Sequence, residues 1–299
     1  MPEPKNNNMD VSIIIVNYNT SALIKDLLDS VYRKTEGVSF EIIIVDNNPT
    51  NKFSIDLKEY LDKIIYLPLE ENVGFGRANN EGLKVAKGRN IFFLNPDTLL
   101  INNAIKILSD YLDKNEEVGV CGGNLYNAEN EPTHSYQMIF PSLLWELNLL
   151  FGRSMVYKLF YGKSFTFNYS ENVKEVAYIT GADMMVRRSI LDNIGYFNQL
   201  FFMYYEETEL SFRVHKAGYK ICSVPQAKLF HLEGKSVGNN ISKQTMMLAS
   251  RKIFYKLTKG RKKIDDFLCC TTFYLRYLFC LLSRDKEGST YWKALIDLV

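Results

Sequence analysis

The chain carries no marked charge of either sign: 36 Lys and Arg stand against 34 Asp and Glu, a net +2 over 299 residues. A nucleic-acid-binding protein would show a strong basic excess, so that class is disfavoured, although a local basic patch is not. Cysteine is scarce. Cys121, Cys222, Cys269, Cys270 and Cys280 form no C-x-x-C pair and no zinc-ligand spacing. They read as free thiols of a reducing compartment, not as a disulfide framework. No apolar run reaches the roughly 20 residues that cross a bilayer. The Asn-rich stretch Met1 to Asn8 lacks the apolar segment of a signal peptide. A disordered tail over residues 1–9 and a cytoplasmic location are expected.

What is present is an alternation of two patterns over the first 115 residues. Val11–Val16, Glu41–Asp46, Ile64–Leu67 and Ile91–Leu94 are short β-branched or aromatic runs bounded by turn residues. They fit strands buried on both faces of a parallel sheet. Between them, Leu23, Leu27, Leu28 and Val31 share a helical face, as do Ala104, Ile105, Leu108 and Leu112. Ala78, Leu83, Val85 and Ala86 fit a further helix less cleanly. Strand–helix alternation implies right-handed βαβ crossovers, so residues 10–118 read as a doubly wound α/β unit with a mainly parallel sheet. Residues 119–240 carry shorter apolar stretches and more Gly and Pro breaks, and segment 141–169 is rich in aromatics. Residues 241–299 read as a helical extension, with no Pro or Gly from Arg261 to Glu287.

In open α/β sheets ligands bind at the carboxyl ends of strands. Those ends carry Asn17-Tyr18-Asn19-Thr20, Asp46-Asn47-Asn48, Asn72-Val73-Gly74-Phe75-Gly76-Arg77-Ala78-Asn79-Asn80 and Asn95-Pro96-Asp97-Thr98. Each alone is ordinary turn chemistry; four together bring carboxylates, amides and a cation to one edge. Such an edge suits a nucleotide sugar. Asp46 can accept from a pyrimidine N3–H, and Tyr18 offers a ring for the base. Gly74 and Gly76 permit close backbone approach to a diphosphate. Arg77 supplies a fork of donors, a helix starting there adds its dipole, and Asp97 is a hard ligand for a divalent cation. A dinucleotide fingerprint would need another Gly near Asn79 and a place after the first strand, and both conditions fail.

A second constellation runs from Phe201 to Arg213, where aromatics stop at Glu206, Glu207 and Glu209. Adjacent carboxylates beside a pocket raise one another's pKa, which suits one of them to general-base work. A solvated acidic first turn of a helix reads equally well. Of three histidines, His134 and His215 are expected to be surface or structural. His231 is open to packing or to metal binding.

In order along the chain, these segments, with Gly181-Ala182-Asp183-Met184, Gly195-Tyr196-Phe197, Ala217-Gly218-Tyr219 and His231 to Ser236, resemble the motifs of family 2 glycosyltransferases of the GT-A fold. The nearest branch is the rhamnosyltransferase-like enzymes of bacterial polysaccharide synthesis. The resemblance spans about residues 10–240 and makes 10–118 a nucleotide-sugar half and 119–240 an acceptor half. It implies a donor site at Asn17, Tyr18, Asn19, Asp46, Asn47, Asn72, Gly74, Arg77, Asn80, Asn95 and Asp97. It also implies a divalent cation (Mn or Mg) on Asp97 and His231, and a base at Glu207 or, second, Glu206. Glu207 and Glu209 stand where the family usually has Asp. The implied reaction is inverting transfer of a sugar from dTDP-rhamnose or a UDP-sugar to a saccharide, in all expectation lipid-linked. A nucleotidyltransferase would place a Gly-rich basic loop after the first strand, where Asn17-Tyr18-Asn19-Thr20 stands; an inactive nucleotide-sugar-binding partner subunit remains the other alternative.

The most apolar stretch, Phe267 to Leu282, is 16 residues long with Arg276 inside, and basic residues flank it across 261–286. That composition suits an interfacial helix on anionic lipid. The alternative is packing on the catalytic domain or on a second copy of the chain.

Overall fold

A computed structural model describes residues 9–48, 60–142, 145, 161–232, 240–258 and 263–296. The tail at 1–8, Glu233 to Ser236, Arg261 and Lys262, and most of 143–160 lie outside the described residues.

A nine-stranded sheet forms the centre. Its strands are β1 (Val11–Asn17), β2 (Phe40–Asp46), β3 (Ile65–Pro68), β4 (Asn90–Leu94), β5 (Thr98–Leu100), β6 (Val118–Tyr126), β8 (Lys174–Glu175), β10 (Asp183–Arg187) and β11 (Lys220–His231). Two short strands, β7 (Tyr136–Gln137) and β9 (Tyr178–Ile179), pair apart from it. The order is β3-β2-β1-β4-β10-β6-β11-β5, with β8 on β11. The first four strands are parallel, as is the β6–β11 pair.

The isoleucine-rich strands are buried on both faces because neighbouring residues serve opposite cores. Ile13, Ile15, Ile42, Ile44 and Phe92 pack against α1 (Ser21–Lys34) and α3 (Ala104–Lys114). Ile14, Val16, Ile43, Val45 and Phe93 pack against α2 (Phe75–Leu83), α4 (Arg188–Ile194) and α5 (Glu206–Lys216). This is the doubly wound arrangement. On α1 the buried position is Ile24, with Leu23 half-buried. Helix α2 ends at Leu83, so Val85 and Ala86 follow it on a turn. Its weak apolar pattern has a physical cause. Gly82 lets the helix lie directly on the sheet, where a Cβ would stand 2.7 Å from the Ile14 side chain.

Strand β10 decides where the site forms. It runs antiparallel to β4, with Asp183 opposite Leu94. The segment entering β10, Thr180-Gly181-Ala182, therefore arrives at the same edge as the carboxyl end of β4, and the Asn95 amide bonds the Ala182 carbonyl at 3.0 Å. Because β6 is antiparallel to β10 and parallel to β11, His231 ends at that edge too. Helices α6 (Asn240–Thr258), α7 (Lys263–Leu282) and α8 (Lys286–Ile296) complete the chain. No described helix is long and apolar enough to cross a membrane.

Candidate active site

At the carboxyl ends of β1, β2 and β4 lies a cavity of about 410 Å³, a size usual for small-molecule sites. Tyr18, Asn47, Asn72, Gly74, Asn95 and Asp97 line it, as do Glu206, Glu207 and His231. Tyr18 is 43% exposed, free to lie against a flat ring.

Asn17, Asn19 and Asp46 stand behind this wall. Asp46 is 2% exposed: Oδ1 accepts from Asn17 Nδ2 at 2.9 Å, and Oδ2 accepts from the Tyr66 hydroxyl at 2.6 Å. Asn19, held at φ +58°, accepts from Asn48 Nδ2 at 2.6 Å. These bonds tie the ends of β1 and β2 together. Asp46 thus braces the wall, where a direct contact with a base had been expected. Asn47 accepts from the Val73 amide at 2.9 Å and donates to Asn72 at 2.9 Å, joining the third loop to the second.

Arg77 and Asn80 are absent from the cavity wall. The Phe75 N–H donates to the Phe202 carbonyl at 2.9 Å, which seats the start of α2 against the 201–205 loop. Arg77 consequently donates to the Gln199 carbonyl through Nε and Nη2, at 2.8 and 2.6 Å. Asn80 clasps the Phe197 backbone, Nδ2 to its carbonyl at 2.8 Å and Oδ1 from its amide at 3.0 Å. Both line a separate cleft on the outer side of α2. Gly74 is needed for the same packing. It sits at φ +87°, and a Cβ there would lie 2.3 Å from the Phe202 carbonyl oxygen, so no other residue fits without displacing that loop.

Asn95-Pro96-Asp97-Thr98 is a β-turn closed by the Thr98 amide on the Asn95 carbonyl at 3.2 Å, with Pro at its second position. Strand β5 follows and pairs Thr98 with His231. That register sets His231 Nε2 3.4 Å from Asp97 Oδ1. Asp97 is 6% exposed, and its Oδ1 is buried with no hydrogen-bond donor among the described residues. An orphaned carboxylate oxygen beside an imidazole fits a divalent cation. Among the described residues no cluster of three or more His, Cys, Asp or Glu could hold a metal. A cation here would take its remaining ligands from a bound substrate.

Across the cavity, α5 opens on the carboxylates. Tyr204 and Tyr205 both hold φ of +70° before it, a left-handed conformation that costs a non-glycine residue roughly 1–3 kcal/mol. The solvated-turn reading fails for Glu206, which is 3% exposed. Gly76 faces this turn: a Cβ there would crowd Phe197 Cβ at 3.2 Å and stand in ordinary contact with Glu206 Cβ at 3.4 Å. Burial, and then the charge of Glu207, push the Glu206 carboxyl up to about 8, and its Oε2 has no hydrogen-bond partner among the described residues. Glu207 is half-buried, accepts from the Thr208 hydroxyl at 3.2 Å, and is raised by burial as well. Glu209 has a different fate. It pairs with Arg213 at 2.9 Å, whose guanidinium also caps the carbonyls of Ile194, Gly195 and Tyr196. That carboxylate is structural.

The raised Glu206 makes a stability prediction. The folded chain retains a proton that the unfolded chain releases from about pH 4.5 upward, so this group lowers stability as pH rises toward 8. Glu206→Gln cannot ionise. It is expected to raise Tm by several degrees at pH 8, at about 2–4 °C per kcal/mol, and to leave Tm nearly unchanged at pH 4. Melting curves at the two pH values check this; an equal shift at both would count against burial as the cause.

Several wall residues escaped the sequence reading. His134, expected at the surface or in a structural place, lines the cavity, with Nε2 2.9 Å from Gln137 Nε2. Thr180 and Met246 line it too, the latter from α6, and neither bears a signal in the sequence.

Residues 12–195 match the model of glycosyl transferase family 2. The chain belongs to that family. Among its family 2 relatives, it is 29% identical over 226 residues to the low-salt glycan biosynthesis hexosyltransferase Agl10 of Haloferax volcanii, covering 73% of this chain and 66% of that one. It is 25% identical over 231 residues to the O-antigen biosynthesis protein RfbC of Myxococcus xanthus, covering 76% of this chain but 17% of that protein. The chain therefore spans less than two thirds of either. It is 24% identical over 245 residues to an N-acetylglucosaminyl-diphospho-decaprenol L-rhamnosyltransferase of Mycobacterium tuberculosis, covering 76% of this chain and 78% of the other. Among solved structures, GalNAc-T7 with UDP, GalNAc and Mn²⁺ superposes at a TM-score of 0.58 and 16% identity, over 84% of this chain and 50% of that one. S. aureus TarS 1-349 superposes at 0.53 and 14% identity, over 96% and 91%. At such identities the likeness establishes the fold, which is GT-A.

Proposed function

We propose that this chain is an inverting glycosyltransferase that moves a sugar from a nucleoside diphosphate donor, dTDP-rhamnose or a UDP-sugar, to a saccharide acceptor in cell-surface polysaccharide synthesis. The observation that carries the reading is one cavity with two unlike walls: an orphaned Asp97 beside His231 on one side, and the buried Glu206–Glu207 pair on the other. A leaving group that becomes anionic and an acceptor that must lose a proton need those two chemistries at one place.

Asp97 and His231 would hold a divalent cation, Mn²⁺ or Mg²⁺, against the diphosphate, where it supplies charge neutralisation. Tyr18 stacks on the base, and Asn47, Asn72 and Asn95 offer amides to the donor. Glu206, the more buried carboxyl, keeps its proton near neutrality, and Glu207 carries the negative charge. Glu207 takes the proton of the acceptor hydroxyl as that oxygen bonds to the anomeric carbon, and the bond from that carbon to the diphosphate breaks. The nucleoside diphosphate leaves with the electron pair. Arg77, placed on Gln199, takes no part.

The test is incubation of the full chain with nucleotide sugars and acceptor saccharides, reading nucleoside diphosphate release with Mn²⁺, with Mg²⁺ and with chelator. Release that needs both cation and acceptor supports the reading. No release from any donor would remove it.

The relative that acts on a diphospho-decaprenol acceptor supports a lipid-linked acceptor, and α7 supports peripheral contact with the inner face of a membrane. One face of α7 packs inward: Thr272 and Cys280 are buried, Phe273 meets Leu248, and Arg276 lies 5.2 Å over the Trp292 ring. The opposite stripe stands in solvent, with Phe267 67%, Phe279 70% and Leu282 86% exposed, near exposed Arg284 and Lys286. Flotation with anionic liposomes at low salt is expected to carry the chain upward, and the double change Phe279→Asp and Leu282→Asp to leave it behind. A wild-type chain that stays at the bottom would sink the membrane contact.

A further inference from the structure

The two tyrosines at φ +70° need an outside support, because a strained backbone persists only where its surroundings over-determine it. On one side the support is the donor half, through the Phe75 amide on the Phe202 carbonyl. On the other side it is α6. Ser250 donates its hydroxyl to the Met203 carbonyl at 2.7 Å, immediately before the strained pair. A serine inside a helix commonly bonds back to its own preceding turn; this one, 4% exposed, reaches out of its helix instead. One turn further, Phe254 is fully buried among Phe201, Tyr205 and Phe212. One turn earlier, Met246 lines the catalytic cavity, and Lys243 Nζ lies 5.9 Å from the Tyr204 ring centre. Lys243, Ser250 and Phe254, on one face of α6 with Met246, thus grip a five-residue loop that leads straight into Glu206 and Glu207.

We propose that α6 is a positioning clamp for the catalytic carboxylates, and that Ser250, by fixing the Met203 carbonyl, sets the direction from which Glu206 and Glu207 enter the cavity. Ser250 touches no substrate in this scheme and acts through the loop. Its effect on turnover rests on the transferase reading above. Its effect on the loop does not.

The experiment compares the full-length chain with Ser250→Ala and with Leu248→Ala. Leu248 lies on α6 but packs against Phe273, Tyr291 and Trp292, so its loss lowers Tm without touching the loop. Hydrogen–deuterium exchange, read without donor, is expected to quicken about tenfold at amides 202–207 in Ser250→Ala and to stay at the wild-type rate there in Leu248→Ala. With donor and acceptor, Ser250→Ala is expected to lower kcat by roughly tenfold to a hundredfold with donor KM within about twofold, while Leu248→Ala keeps the wild-type kcat. Unchanged exchange at 202–207 in Ser250→Ala, or equal loosening in both variants, would overturn the clamp. Loosened exchange with an unchanged kcat would overturn the positioning role. A wild-type chain inert toward every nucleotide sugar would remove the transferase reading, and the exchange result would still decide the clamp.

Discussion

Glu207→Gln is expected to lower kcat by about 10²- to 10⁴-fold, the usual worth of a general base, while nucleoside diphosphate affinity changes by less than a few fold. The substitution keeps shape and hydrogen-bonding length, so the wall of the cavity survives. What it removes is the group proposed to accept the proton. Glu206 cannot replace it, because its carboxyl is 3% exposed and held up to about 8, protonated near neutrality. A glutamate here is one methylene longer than the aspartate of the family pattern, yet the left-handed Tyr204-Tyr205 entry sets the helix start that carries it. Single-turnover rates together with equilibrium binding of the nucleoside diphosphate separate proton removal from donor binding. A variant with full activity would take the role away from Glu207.

Asp97→Asn is expected to remove the effect of Mn²⁺ or Mg²⁺ on donor affinity. Oxygen-bound cations contribute several kcal/mol at a transferring phosphate, so affinity measured with cation should fall by roughly two orders of magnitude. Affinity measured with chelator should match the wild-type chain. The fold should be little affected, since no described residue donates a hydrogen bond to Asp97 Oδ1 and the change gives up only its contact with His231 at 3.4 Å. Titration calorimetry with and without cation reads both quantities. Because the described residues offer Asp97 and His231 and no third ligand, the bare protein should bind the cation weakly. Tight binding in the absence of nucleotide would show that the cation sits elsewhere.

The strands β1, β2 and β4 could be read directly, because their cores are buried on both faces and therefore largely apolar; β3, expected to be buried likewise, is the edge strand and only half-buried. The same logic gave α1 and α3. It blurred at α2, whose contact with the sheet depends on the missing side chain of Gly82, a negative feature that apolar periodicity does not register. The loops at the strand ends were found, but their division of labour was not. Asp46 ends its strand and Tyr18 follows one, and nothing local distinguishes the one that turns inward to Asn17 and Tyr66 from the one that meets solvent. Arg77 stands off the cavity for a longer-range reason: its partner, the Gln199 carbonyl, lies 122 positions away. Glu209 looked as promising as its neighbours until Arg213, one helical turn on, took its charge. His134 and Met246 reach the cavity through tertiary packing alone.

The close seating of Gly74 under Phe202 has a consequence for anyone recombining this enzyme. The donor loop and the loop that leads to the acid pair share one seam, sealed by the Phe75 amide, by Asn80 on Phe197 and by the absent Cβ of Gly74. A chimaera that grafts a foreign residue 10–118 module to change sugar preference would bring a mismatched seam with it. The graft would displace the loop before Glu206 and Glu207, unless residues 195–205 were transplanted in the same piece.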